Sequence, residues 1–69
     1  MYGAVLVTIT GTSEILLENY RGIIEYTSER IRVQTKTCQV EVQGQCLLIA
    51  YYTNDEMKIT GRICAVLYD

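Results

Sequence analysis

The most constraining feature of this chain is a run of alternating polar and apolar residues at positions 30–34. Ile31 and Val33 alternate there with arginine and glutamine. A period of two places successive side chains on opposite faces of an extended chain, as in a β-strand with one buried face. The preceding segment, residues 22–26, is also rich in strand-forming residues, and only three residues separate the two segments. The sequence therefore predicts a β-hairpin here.

The rest of the chain also reads as short strands separated by glycines or polar turns. No window has a sustained apolar stripe with a period of 3.6 residues, so no helix is predicted. We predict an all-β fold, a small antiparallel β-sandwich or roll of about eight short strands. The predicted strands are residues 4–10, 14–18, 22–26, 30–36, 38–43, 46–52, 57–60 and 62–68.

The predicted hairpin at residues 22–36 should bury one face. Its exposed face would carry Arg30 and Arg32, which are expected to pair across strands with Glu25 or Glu41. The residues expected on the buried face are Ile23 or Ile24, Tyr26, Ile31 and Val33.

The predicted strands at 46–52 and 62–68 are apolar on both faces. In the first, Leu47, Ile49 and Tyr51 would oppose Leu48, Ala50 and Tyr52; in the second, Ile63, Ala65 and Leu67 would oppose Cys64, Val66 and Tyr68. The second apolar face is covered either by the curled sheet itself or by another copy of the chain. Because neither Pro nor charge interrupts 46–52, we expect a homo-oligomer formed through sheet faces or edges.

Tyrosine is the only aromatic residue type, with six copies. Its ring supplies apolar contact area while its hydroxyl stays hydrated, which suits interfaces. The candidate interaction residues are Tyr20, Tyr51, Tyr52, Val66 and Tyr68, whereas Tyr26 is expected in the core.

No combination of side chains indicates catalysis or cofactor binding. The chain has no His, and its three cysteines, Cys38, Cys46 and Cys64, have no metal-binding spacing. A nucleophilic cysteine would lack its usual base, and the carboxylates are expected on solvated strand faces or in turns. The formal charge of −2 gives no basic surface for nucleic acid. We predict a non-enzymatic protein with no catalytic residue, cofactor or metal.

The length of 69 residues fits one domain, residues 1–69. The apolar opening at residues 1–7 lacks a basic flank and is far shorter than a membrane span, so it is expected to be a strand. These features predict a soluble, cytoplasmic protein.

The order of several short motifs resembles the YabP/YqfC-like sporulation proteins, small β-rich proteins of endospore-forming Firmicutes. The YqfC side is favoured by the Glu-Asn-Tyr-Arg-Gly-Ile turn at residues 18–23. The matching segments are residues 9–11, 17–26, 29–35, 40–44, 55–61 and 63–68. Together they span roughly residues 7–68, and Cys38 stands where this family usually has a small residue.

The resemblance implies an assembly or adaptor domain that acts in formation of the spore envelope or coat through protein–protein contacts. It also implies a location in the mother-cell cytoplasm, at or near the forespore membrane, and a YqfD-like membrane protein as partner. The alternative function is a small-ligand or cell-wall-binding β module that uses the same tyrosine-rich face.

Overall fold

The computed structural model describes residues 5–69, which form one antiparallel sheet of six strands. The order across the sheet is β1-β2-β6-β5-β4-β3. The strands are β1 (Leu6–Thr10), β2 (Glu14–Glu18), β3 (Tyr20–Tyr26), β4 (Arg30–Thr35), β5 (Gln39–Tyr52) and β6 (Glu56–Tyr68). The predicted all-β class is confirmed, and these residues contain no helix. Ala4, predicted to begin the first strand, lies outside the described residues.

The strand number is six because two predicted pairs of strands are each a single long, bent strand. Segments 38–43 and 46–52 are joined in β5, and segments 57–60 and 62–68 are joined in β6. Gly44 and Gly61 lie at the bends and do not form turns. A Cβ atom on Gly44 would lie 2.0 Å from the carbonyl oxygen of Arg62, so only glycine lets the two bent strands approach this closely.

The bends fold the sheet into two layers that share β5 and β6. Layer A contains β3, β4, residues 39–45 of β5 and residues 62–68 of β6. Layer B contains β1, β2, residues 56–60 of β6 and residues 47–52 of β5. Because one cluster of buried side chains draws on both layers, the layers pack face to face. The cluster comprises Ile15, Leu17, Tyr20, Ile31, Val33, Val40, Val42, Leu47, Met57 and Ile59.

The two layers are related by an approximate two-fold axis between β5 and β6. Exchanging β1 with β3, β2 with β4 and β6 with β5 leaves the order of the sheet unchanged. Matching hydrogen bonds support this relation: Leu47 N–H donates to the Ser28 carbonyl, and Ile63 N–H donates to the Thr12 carbonyl, both at 2.8 Å. The turn between β1 and β2 is therefore the counterpart of the turn between β3 and β4.

β-Bulges change the predicted faces of the two bent strands. Ile49 is opposite Ile59 and Tyr52 is opposite Met57, with one unpaired residue between Ile49 and Tyr51. Tyr52 therefore shares the inward face with Ile49, and Tyr51 moves to the outer face with Leu48; the predicted division was wrong. A bulge shifts the alternation because one extra residue is inserted into the strand.

A second bulge, at Cys64, has the same effect in β6. Val66 is opposite Val42 and Tyr68 is opposite Val40, while Ile63 is opposite Gly44. Ile63, Val66 and Tyr68 therefore share the inward face, and the predicted separation of Ile63 from the other two was wrong. The sheet thus covers much of its own apolar surface, since Ile63 and Val66 are both half-buried against the core.

The hairpin of β3 and β4 has the predicted burial only in its second strand. Ile31 and Val33 are fully buried, as expected. In contrast, Ile23, Ile24 and Tyr26 are exposed, so their predicted burial was wrong. Ile23 and Tyr26 lie opposite Val33 and Ile31 and therefore share the inward face, but β3 is the outer strand of the sheet, so solvent reaches them.

The exposed face of β4 carries the predicted cross-strand ion pairs. Arg30 Nε lies 3.3 Å and Arg32 Nε lies 3.5 Å from the carboxylate of Glu41. Both guanidinium groups are partly exposed to solvent, so each pair contributes at most about 1 kcal/mol to stability.

Candidate interaction surface

One lateral edge of the folded sheet is closed by hydrogen bonds from β3 and the turn that follows it. This closed edge is formed by residues 47–52 of β5. Leu47 N–H donates to the Ser28 carbonyl at 2.8 Å, and Ile49 N–H donates to the hydroxyl oxygen of Tyr26 at 3.1 Å. These bonds satisfy donors that a free edge strand would offer to another chain.

The far end of the closed edge is held by the start of β3. The hydroxyl of Tyr20 donates a short hydrogen bond to the Thr53 carbonyl, and Asn19 N–H donates to the Asp55 carbonyl at 2.8 Å. Tyr20 is only 8% exposed. Its ring lies in the core while its hydroxyl fastens β3 to the connection between β5 and β6.

In the part of the chain that the structure describes, the opposite lateral edge, residues 62–68 of β6, is open. Ile63 N–H donates to the Thr12 carbonyl near its start, and within residues 5–69 no strand pairs with the side facing away from β5. Gln39 and Asp69 exchange both backbone hydrogen bonds, at 3.1 and 2.9 Å. Because such pairs alternate along an antiparallel ladder, the N–H and C=O groups of Val66 and Tyr68 point away from β5.

The two-fold relation shows what the open edge lacks. Val66 is the counterpart of Ile49, because each lies in the equivalent inward pair of its layer, with Val42 and Ile59 respectively. The N–H of Ile49 is bonded by the Tyr26 hydroxyl. Thr12 precedes its counterpart Ser28 by sixteen positions, and Thr10 precedes Tyr26 by the same number. Thr10 is therefore the counterpart of Tyr26, but it has only a short hydroxyl side chain. The hydrogen bond by which the Tyr26 hydroxyl caps the closed edge therefore has no equivalent among the described residues of the open edge.

Apolar side chains flank the open edge on both faces. Leu67 is on the outer face and is 48% exposed, while Tyr68 is on the inward face and is 59% exposed. Val66 is half-buried between them. Arg62 and Asp69, both exposed, lie at the two ends of this segment. The open edge thus combines free backbone groups, an apolar middle and opposite charges at its ends.

The structure divides the predicted interaction residues among three places. Tyr20 is in the core, so we remove it from the candidate surface. Tyr51 and Tyr52 are exposed on the closed edge, whereas Val66 and Tyr68 lie on the open edge. They do not form one continuous patch.

Sequence reasoning missed the hydrogen bonds that Ser28 and Tyr26 accept from β5. The tripeptide Thr-Ser-Glu, at residues 12–14 and again at 27–29, indicates that the two turns are related. It does not distinguish the edges, because Thr12 and Ser28 accept equivalent bonds. The role of the Tyr26 hydroxyl had no signal in the sequence, since it depends on the approach of Tyr26 to Ile49 when the two layers pack.

A polar cleft of about 560 Å³ is open to solvent beside Gly44. Glu25, Glu29 and Arg30 line it together with Cys64. Within residues 5–69, no group of three or more His, Cys, Asp or Glu side chains is placed to hold a metal ion. Cys46 and Cys64 are exposed thiols and Cys38 is half-buried.

Burial raises the pKa of Tyr20 above its usual value of 10.0, and the nearby Tyr52 and Asp55 raise it further. The folded state therefore favours the neutral phenol more than the unfolded state does. The stability that results is complete below pH 10 and is lost as the pH rises through the pKa of the folded state.

We expect the Tyr20→Phe variant to lose this pH dependence. Urea unfolding at pH 8 to 11 should show a shallower decline in the free energy of unfolding for the variant than for the wild type. The variant should also be less stable by about 0.5–1.5 kcal/mol at pH 8, because the bond to the Thr53 carbonyl is lost. Tyr68→Phe, at an exposed position on the opposite edge and not among the groups that raise the pKa of Tyr20, is the matched control and should retain the wild-type slope.

The sequence matches one known protein family. The model of the YabP family matches residues 3–69. The chain belongs to the YabP family. The predicted family is thereby confirmed, and membership associates the protein with sporulation. The match does not distinguish the YqfC side from the YabP side, so that placement remains a prediction. No curated protein and no solved structure matches the chain significantly.

No helix that could cross a membrane is present in the part of this YabP-family chain that the structure describes.

Proposed function

We propose that this YabP-family protein is a non-enzymatic assembly or adaptor domain that acts in formation of the spore envelope or coat. The observation that carries the proposal is the open edge of β6, where free backbone groups lie beside exposed Leu67 and Tyr68. Such an edge is suited to adding a strand from another chain. Family membership supplies the association with sporulation.

The proposal includes the partners and location that the family resemblance implies. The protein would act in the mother-cell cytoplasm, at or near the forespore membrane, as a homo-oligomer and with a YqfD-like membrane protein. Turnover of a substrate is not part of the proposed mechanism, because binding through sheet edges requires none. The polar cleft beside Arg30 supports this view: it is wide open, whereas ligand sites are mostly enclosed and apolar.

A fluorescent fusion in sporulating cells, examined beside a deletion strain, tests the proposal. We expect the fusion to collect around the forespore and the deletion to give spores with defective envelope or coat layers. A fusion that stays diffuse through all stages, with normal spores from the deletion strain, would contradict it. Binding of purified protein to isolated cell wall, with no role in assembly, would favour the alternative ligand-binding module.

A further inference from the structure

We propose that the open edge of β6 pairs with the same edge of a second copy, in an antiparallel two-fold arrangement centred on Val66. This inference rests on the proposed assembly function, including its homo-oligomer, and adds the strand and the register of the contact. A two-fold axis through the centre of an antiparallel pair makes the contact self-complementary and closed.

The backbone groups set the register of the pair. The N–H and C=O groups of Val66 and Tyr68 point outward, away from β5. With Val66 opposite its own counterpart, the two copies exchange a reciprocal pair of hydrogen bonds at the axis. Because Cys64 is the extra residue of the bulge, Tyr68 of each copy then lies opposite Ile63 of the other, whose N–H already donates to the Thr12 carbonyl.

Charge favours a second copy of this chain as the occupant. Arg62 and Asp69 both lie on the outer face of layer A, opposite Gln45 and Gln39 respectively. Cys64 is the extra residue of the bulge and takes no pairing position. Arg62 and Asp69 therefore lie the same number of pairing positions from Val66, on either side of it. Each Arg62 is therefore brought beside Asp69 of the other copy, at both ends of the interface.

Neither of these charges is satisfied by an ion pair within the described residues. The ion pairs there join Arg30 and Arg32 to Glu41, and Lys58 to Glu14. Arg62 and Asp69 are exposed, so pairing them across the axis costs little desolvation. Opposite charges in cross-strand positions stabilise one register and disfavour others.

The apolar middle of the edge is covered by the same arrangement. Leu67, half-exposed in the single chain, comes to lie opposite Ala65 of the second copy on the outer face. Tyr68 extends over the inward side near the junction. The closed edge is less suited to such pairing, because Ser28 and Tyr26 already bond the outward N–H groups of Leu47 and Ile49.

The edge of β1 is the competing candidate, since β1 is also an outer strand of the sheet and Leu6 and Ile9 are exposed on it. Residues 6–10 contain no charged side chain. No charge pairing therefore sets the register of a β1–β1 contact along this strand, and β6 is preferred.

A charge-reversal series tests the register. Sedimentation velocity at low salt and tens of micromolar protein should show a dimer for the wild type. Arg62→Glu and Asp69→Arg should each weaken the dimer about tenfold, because two attractive pairs become repulsive. The double variant Arg62→Glu/Asp69→Arg should return to near the wild-type affinity. A wild-type protein that is still monomeric at about 100 µM, which requires a dissociation constant well above that concentration, or no recovery in the double variant, would overturn the proposal.

A backbone variant tests the strand. Val66→Pro removes an N–H that points away from the β5 ladder, so the fold should be retained while the dimer is lost. Val66→Thr is the matched control, because it keeps both the β-branched shape and the N–H, and it should remain dimeric. Association that persists in a folded Val66→Pro protein would assign the contact to β1 and overturn the proposal. If Val66→Pro does not fold, the charge-reversal series decides.

The same variants separate this inference from the proposed function. Normal spores and a normal forespore signal from cells carrying a monomeric Val66→Pro protein would leave the assembly role standing and show that the dimer is not needed for it. A wild-type dimer in solution, together with no phenotype in the deletion strain, would do the reverse.

Discussion

Gly44→Ala is expected to prevent folding or to lower the free energy of unfolding by at least about 3 kcal/mol, which is comparable with the whole stability of a domain this small. The added Cβ would lie 2.0 Å from the carbonyl oxygen of Arg62 and 3.1 Å from the Cα of Ile63. Both contacts are with backbone in the central pair of strands. A side chain could rotate away, whereas this backbone can move only by breaking the β5–β6 ladder.

Gly61→Ala should have a similar effect for two reasons. Its Cβ would lie 2.5 Å from the carbonyl oxygen of Cys46, and its φ of 131° is strained for any residue with a side chain. Gly22→Ala is the matched control, because nothing lies within 4 Å of its Cβ position. Urea unfolding followed by far-UV circular dichroism measures all three variants. Wild-type stability for Gly44→Ala would mean that the backbones of β5 and β6 do not lie this close together at Gly44.

Leu17→Ala is expected to destabilise the protein by about 2–5 kcal/mol. Leu17 is fully buried in the core between the layers, opposite Met57 of β6 and Val7 of β1. Removing its branched end leaves a cavity that the surrounding strands fill only partly. Thermal and urea unfolding of the variant give the loss directly.

Leu16→Ala is the matched control for this loss. Leu16 is the neighbouring residue of the same strand, but it lies on the outer face of layer B beside Lys58 and Thr8. Because it remains partly exposed, its truncation should cost about 1 kcal/mol or less. Equal losses at Leu16 and Leu17 would indicate a register shifted by one residue, since such a shift exchanges the two faces.

The open edge illustrates how local pattern and tertiary structure divide the prediction of a site. The sequence indicated that residues 46–52 and 62–68 are apolar on both faces, and that neither Pro nor charge interrupts 46–52. The structure shows that residues 46–52 are the capped ones, with hydrogen bonds to Ser28 and Tyr26. The difference depends on a strand more than twenty residues away in sequence, and no local pattern of β5 records it.

The sequence by itself determined the all-β class, most strand positions and the buried face of β4, because side-chain alternation is a local property of an extended chain. It also carried the family, through the order of its short motifs. Only the tertiary structure decided that two pairs of predicted strands are continuous. The local sequence around Gly44 and Gly61 is compatible with two roles for each glycine, a turn or a site where two backbones lie close together. The faces of residues 49–52 and 63–68 were likewise decided by the tertiary structure, since a bulge arises from pairing with another strand.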